Sequence, residues 1–404
     1  MIRAFILNIG DEVLSGRTIN TNSAFLGYEL EKIGITVEKC VVVGDEIKKI
    51  GDALREFLNS AIEILITTGG LGPTGDDITK QAIALAVNRE LVLNEKVKDR
   101  LVIYYGNKIS DSLLKQAYFP EGSQIIKNNT GSADGFIVFH KEKKIIALVG
   151  PPPEAEPMFK KILPYLYPAV SAEHIVREFT VTGGSEADFE KILAPLNADF
   201  PQVVINSYCA IGKIRYLIKS KRSEEKDFNR CVKRFKDIFK DYIVGEGHVL
   251  IEDAVVTALK NKNYTISFAE SCTGGLLAAK LISIPGASAV ISESLIVYSN
   301  DAKSKYLHVK SDTLATYGAV SPEAVREMAT GLACLTGSDV TVAVSGIAGP
   351  DGGTRQKPVG LVCYAIKIDK EIYCEKRIFK GDRNLVRERA ALWIFYRLWY
   401  YLKH

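Results

Sequence analysis

The sequence predicts an α/β protein in which two three-layer α/β/α domains are joined by a small α+β domain. Three features carry that prediction. Apolar, β-branched runs alternate with helical stretches in both halves, glycine-rich turns follow those runs, and a charged segment of different pattern separates the halves. The length of 404 residues agrees, because a single core stops growing well short of it and longer chains divide.

The first domain is expected over 1–168. There AFILNIG, ITVEKCVVVG and EILITTGG read as buried strands and NTNSAFLGYELEKIG and DALREFLNSA as the helices between them, the pattern of a parallel sheet covered on both faces. Gly10, Gly44 and Gly69-Gly70 follow the strands directly, where an open α/β sheet places its ligand crevice. GFIVFH and KKIIALVG read as a hairpin ending at Gly150 and a stiff triple proline. Residues 169–245 offer two further strands and charged helices, consistent with a split βαβ arrangement, and 246–404 resume the α/β alternation from TISFAE through DVTVAVSGIAG to a final helix from Arg383.

Composition narrows the function. With 52 basic against 48 acidic residues the chain carries a formal charge of +4, too little and too dispersed for a nucleic-acid footprint or a polybasic membrane anchor. Seven cysteines without a CxxC pair argue against zinc and against a disulfide framework. No apolar segment is long enough to cross a bilayer, and the start lacks the form of a signal peptide, so a cytoplasmic protein is expected.

The segment TTGGLGPTGDDITKQA at 67–82 is the richest of the first half. Its glycines let backbone N–H groups approach an anion, and a divalent cation between carboxylates and pyrophosphate would reconcile Asp76 and Asp77 with that anion. A tight turn with Asp77 capping the next helix stands as an even alternative. Asp11, Glu12 and Asp45 follow other strands and converge on the same rim in this reading. GxxxxGK[ST] is absent. NIGDEVLSG at 8–16, TTGGLGPTGDD at 67–77, NNTGSADGF at 128–136 and GPPPE at 150–154 resemble the molybdopterin-binding-like domain that begins proteins of the CinA (competence- and damage-inducible) family. The resemblance implies hydrolysis of ADP-ribose to AMP and ribose 5-phosphate with a divalent metal (magnesium, manganese or cobalt) and potassium. It also implies Asp77 as the catalytic acidic position, Asp11, Asp45 and Asp77 as metal residues, and Asn22, Asn129, Thr74, Gly69, Gly70 and Gly72 as substrate contacts.

In the last domain AESCTGG, PGASA, VYSNDAKSK, GAVS and SGIAGPDGG carry the chemistry. Amide hydrolysis needs a nucleophile, a base and an oxyanion donor. Ser288 at a helix start, Lys303 after a strand and turn, and Tyr298 at a strand end can supply these groups. Taken alone, an N-cap, a surface lysine and a strand tyrosine are the plainer readings, because no SxxK or GxSxG spacing ties them together. Ser271 is a competing nucleophile, but it and Thr273 are read as binding residues, with the Gly274-Gly275 turn and the following helix start suited to a phosphate. Cys272 lacks a histidine partner.

These segments resemble the nicotinamide-nucleotide amidase domain of the same family. That resemblance implies hydrolysis of nicotinamide mononucleotide to nicotinate mononucleotide and ammonia without a cofactor. Ser288 would be nucleophile, Lys303 base and Tyr298 its partner, with the loop holding Gly346 and Gly349 and either Arg383 or Arg387 enclosing the nucleotide. The expectation is thus a bifunctional, dimeric enzyme of pyridine-nucleotide turnover. The alternatives are a molybdopterin- or nucleotide-binding protein without N-terminal hydrolysis, and a competence-related accessory protein.

Overall fold

The computed structural model describes residues 2–166 and 174–404, so the expected boundary at 168 lies outside the described residues. The chain divides into two compact units, one running through Val176 with the short piece Lys221–Glu225, the other formed by Arg177–Ser220 and Lys226–His404.

The first unit is built on a six-stranded sheet ordered Thr36–Val43, Arg3–Ile9, Ile64–Thr68, Lys143–Leu148, Gly135–His140, Gln124–Ile126. The first four strands are parallel, and the expected hairpin follows antiparallel, with Phe136 opposite Ala147. Ile64–Thr68 is buried along its whole length, as a central strand covered on both faces must be. Phe5, Leu54, Phe57, Ile66, Phe136 and Phe159 share one core. Because four neighbouring strands run in the same direction, their carboxyl ends deliver Gly10, Gly44, Gly69 and Val149-Gly150 to one rim.

A four-stranded sheet follows, ordered Val204–Ala210, Lys213–Lys221, His174–Val181, Ile243–Glu246, with helices Glu186–Asp199 and Glu225–Ile238. Its chain order, β-α-β-β-α-β, is the split βαβ pattern. Phe179, Phe235, Phe239 and Tyr216 form its buried aromatic core, and Phe235 stacks on Phe239 at 4.7 Å.

The last sheet has five strands, ordered Ile291–Ile296, Ile266–Glu270, Val340–Gly346, Leu361–Ile368, Glu371–Ile378. The first three are parallel and the last two antiparallel. Alternation along the strands sends Phe268, Val342 and Tyr364 into one apolar cluster and Ala269, Ala343 and Ala365 into another. The large residues meet helices Ile251–Lys262 and Arg383–Lys403, while the alanines admit helix Pro322–Thr336 closely. Helix Asn300–Leu307, capped by Ser299 Oγ accepting from the Ala302 N–H at 3.1 Å, lies against Pro322–Thr336. Among the described residues no helix is long and apolar enough to cross a membrane.

Gly331 makes that last contact possible, since a Cβ there would fall inside van der Waals distance of the Leu307 carbonyl oxygen. Gly331→Ala gains up to about 1 kcal/mol of helix propensity. Backbone cannot retreat as a side chain can, so overpacking of about 1–3 kcal/mol prevails. Urea unfolding is expected to show a net loss of stability; equal or greater stability would contradict this packing.

Candidate active sites

The rim of the first sheet encloses a cleft of about 360 Å³ lined by Gly10, Glu12, Asp45, Gly69, Gly70, Gly72, Asp76, Asp77, Gln116, Ser132, Gly150 and Glu154. Gly69 and Gly70 both have positive φ, and a Cβ on Gly69 would collide with the Ile9 carbonyl oxygen, so the turn requires glycine there. Thr79 fastens the turn by donating its hydroxyl to the Gly69 carbonyl at 2.8 Å. The Asp45 carboxyl is pushed upward by burial and by repulsion from Asp11, Glu12 and Asp76, although the Asp11 N–H donates to it at 2.9 Å. Crowded negative charge of this kind favours a cation.

The expected ligands do not form one set. Asp45 and Asp77 line the cleft, whereas the Asp11 carboxylate is turned against Gly44, and among the described residues no three metal-binding side chains converge. Asp77 does not cap the following helix. It accepts from the N–H of Thr74 at 2.8 Å and from the Thr74 hydroxyl, so Thr74 is held by Asp77 and is not left free for substrate. Asn22 donates its amide to the Gly150 carbonyl at 2.7 Å, tying two sides of the rim, while its Oδ1 is buried without a hydrogen bond. Asn129 is exposed and faces an adjoining pocket. Its neighbour Asn128 is the buried one, donating to Glu154 Oε2 at 2.6 Å and accepting from the N–H groups of Thr130 and Gly131.

In the last sheet, strands Ile266–Glu270 and Ile291–Ile296 are parallel neighbours with Glu270 opposite Ile296. Ser271 and Val297 therefore leave the sheet side by side, and the next helix brings Lys303 back over them. Lys303 is 1% exposed and donates from Nζ to Ser271 Oγ at 3.1 Å, to the Val297 carbonyl at 2.9 Å and to the Tyr298 carbonyl at 3.0 Å. Burial lowers its pKa from the ordinary lysine value.

This geometry corrects three expectations. Ser288 lies exposed in the short helical turn Ala287–Ala289, which precedes strand Ile291–Ile296 and so sits at its amino end, away from the carboxyl-end crevice that holds Lys303. Tyr298 meets Lys303 through its backbone carbonyl; the residue is 61% exposed and its hydroxyl accepts from Arg383 at 3.2 Å. The helix start beyond Gly274-Gly275 is not open to a phosphate. The buried Glu270 carboxylate already accepts from the N–H groups of Gly275, Leu277 and Ala278 at 2.9–3.1 Å. The Thr273 carbonyl accepts from Arg387 at 2.8 Å, its hydroxyl is buried without a partner, and Gly349 accepts from Arg383 at 2.9 Å. Gly346 packs so closely on Cys272 that a Cβ would lie 3.0 Å from its sulfur, and burial pushes that thiol up to about 12, out of nucleophilic range.

Residues 5–168 match the family model described as "Probable molybdopterin binding domain", and residues 249–401 match the CinA C-terminal domain. A competence-damage inducible protein by name, from Clostridium botulinum (strain ATCC 19397 / Type A), is 38% identical over 395 residues, 96% of each chain. A protein of the same name from Clostridium kluyveri is 39% identical over 400 residues, 97% of each chain. The chain belongs to the CinA family. A solved structure of a CinA superfamily protein from Klebsiella pneumoniae 700603 is 36% identical, covering 38% of this chain and 96% of that one, with a TM-score of 0.37.

In this CinA-family chain three structurally central residues escaped the sequence reading: Glu270, Asn128 and Lys80. Nothing in the sequence marks Asn128 over Asn129, and Glu270 carries a signal only once the strand end is fixed. Lys80 was hidden inside a helix; it is buried, donates to the Gln116 carbonyl at 2.7 Å and lies 4.2 Å from the centre of the Phe119 ring. Burial lowers it to about 7 against the pull of Asp134 and Asp77. Between pH 7 and 10.5 the unfolded chain therefore holds a proton that the folded chain lacks, and stability rises with pH, by at most about 1.4 kcal/mol per unit. Urea unfolding at pH 7.5 and 9.5 is expected to show that rise diminished in Lys80→Met; an identical pH slope in both proteins would contradict it.

Proposed function

We infer that the C-terminal half hydrolyses the carboxamide of nicotinamide mononucleotide by a Ser271–Lys303 pair. The reading rests on one observation, the buried amine of Lys303 within hydrogen-bond reach of Ser271 Oγ. Desolvation favours the neutral amine, and a neutral amine can take the serine proton. Ser271 Oγ attacks the carboxamide carbon as its proton passes to Lys303. The tetrahedral intermediate collapses, the C–N bond breaks, and Lys303 returns the proton to the departing ammonia. Water, deprotonated by the same amine, then releases nicotinate mononucleotide and restores Ser271. Arg383 and Arg387 stand at the rim as the cationic partners for the nucleotide phosphate, taking the place of the helix start that Glu270 fills.

For the N-terminal half the acidic cleft supports hydrolysis of a diphosphate such as ADP-ribose. Asp45 and Asp77 fit a divalent ion shared with substrate, since such ions are commonly held by one or two carboxylates plus phosphate oxygens. The ion's chemistry there is neutralisation of the diphosphate charge. The glycine turn shapes the floor against which the phosphates lie, and Asn22 keeps the opposite side of the rim in place.

Ammonia release from nicotinamide mononucleotide is expected to fall about 10³-fold or more in Ser271→Ala and in Lys303→Arg, whose guanidinium keeps its proton, and to be unchanged in Ser288→Ala. Activity should decline as pH falls through the lowered Lys303 pKa, because protonation removes the base. Retained turnover without Ser271, or loss in Ser288→Ala, would reject this pair. Separately, Asp77→Asn should abolish metal-dependent AMP formation from ADP-ribose and leave ammonia release intact. Wild-type protein that binds ADP-ribose without cleaving it would reduce the first half to a binding domain.

A further inference from the structure

The helix Arg383–Lys403 grips the segment that follows Ser271 at two places. At the near end Arg387 donates from Nη2 and Nε to the Thr273 carbonyl at 2.8 and 3.3 Å. At the far end Glu388 forms an ion pair of 2.6 Å with Lys280, which stands near the end of the short helix Leu276–Ile282 that continues the same segment. Arg387 and Glu388 are consecutive, so they leave their helix about 100° apart and engage Thr273 and Lys280 from different sides of its axis. A single contact leaves a helix free to roll about its axis, whereas two contacts at different azimuths fix both its roll and its height.

The far contact is shielded from water. The side chains of Lys280 and Glu388 are 21% and 32% exposed, and the same ammonium lies 3.6 Å from Glu252, a buried carboxylate of helix Ile251–Lys262. Charges so enclosed are screened by salt much less than an open surface pair. Glu252 also attracts Lys213 of the four-stranded sheet, so it keeps a counter-charge when Lys280 is replaced. The hydrogen bonds of Lys303 go elsewhere, to Ser271, Val297 and Tyr298, which separates this cluster from the base. We propose that Lys280 and Glu388 are positioning residues for nucleotide binding: their ion pair sets the roll of the terminal helix and thereby holds Arg387 at the rim where the substrate phosphate arrives. The phosphate's part in this rests on the functional reading above, whereas the coupling of Glu388 to Arg387 does not depend on amide hydrolysis.

Calorimetric titration of the full chain with nicotinamide mononucleotide, beside ammonia release at varied substrate concentration and pH, tests it. Glu388→Gln, which leaves Lys280 its contact with Glu252, is expected to weaken nucleotide binding about tenfold and to raise KM to match, with kcat and its pH dependence unchanged. Lys280→Met gives the same loss, and Lys280→Arg, which keeps the charge, restores binding. Because residues that act through one another do not add, Glu388→Gln costs nothing further in an Arg387→Met background. Wild-type affinity in Glu388→Gln overturns the positioning role. A further loss when Glu388→Gln is added to Arg387→Met also overturns it, as does a fall in kcat with a displaced pH profile, which assigns the pair to general structure. Nucleotide binding without ammonia release, with an affinity that depends on Glu388 through Arg387, sustains the positioning role and overturns only the hydrolytic reading.

Discussion

Three oxygens, a serine hydroxyl and two backbone carbonyls, hold the buried ammonium of Lys303, and the C-terminal half is arranged around that desolvated charge. A buried amine with such partners stays charged only at a cost, and the cost is what makes the neutral form accessible. The opposite charge nearby, Glu270, is accommodated separately by three backbone N–H groups of the following turn. Were Glu270 to pair with Lys303 directly, the amine would be locked in its protonated form. Splitting the two charges between different partners ties the turn to Glu270 and leaves the amine without a carboxylate partner.

Both candidate sites obey one topological rule while differing in charge. Each lies where neighbouring parallel strands end, Gly10, Gly44 and Gly69 in one sheet, Glu270 and Ile296 in the other. The first rim gathers carboxylates. The second gathers a buried amine and two arginines. The near-balanced charge of the whole chain conceals this local contrast.

The strand and helix alternation was legible because buried parallel strands leave continuous apolar runs, and the glycine turns marked their ends. The split βαβ order of the middle segment was legible for the same reason. Partner choice within a site was not. Ser271 and Lys303 are 32 residues apart and meet only because two strands are adjacent in the sheet, a non-local fact that no spacing rule encodes. The placement of Ser288 away from Lys303 was nevertheless within reach, since a residue preceding a strand cannot stand at that strand's carboxyl end. Asp77 illustrates the reverse case: its place beside the glycine turn was foreseen, but its grip on Thr74 depends on the turn's fold.

The helix Arg383–Lys403 has a wider role than closing the chain. Its first turns carry the rim arginines, while farther along Leu392 packs on Gly212 and Tyr396 on Gly183, so closely that a methyl group at either glycine would clash with them. His404, which follows it as the C-cap, faces Asp241 at 3.4 Å. Release of the four-stranded sheet therefore strips one side of this helix, and the arginines at its head lose their footing with it. Amide hydrogens of the middle sheet and of the terminal helix should then exchange with solvent as a single cooperative block.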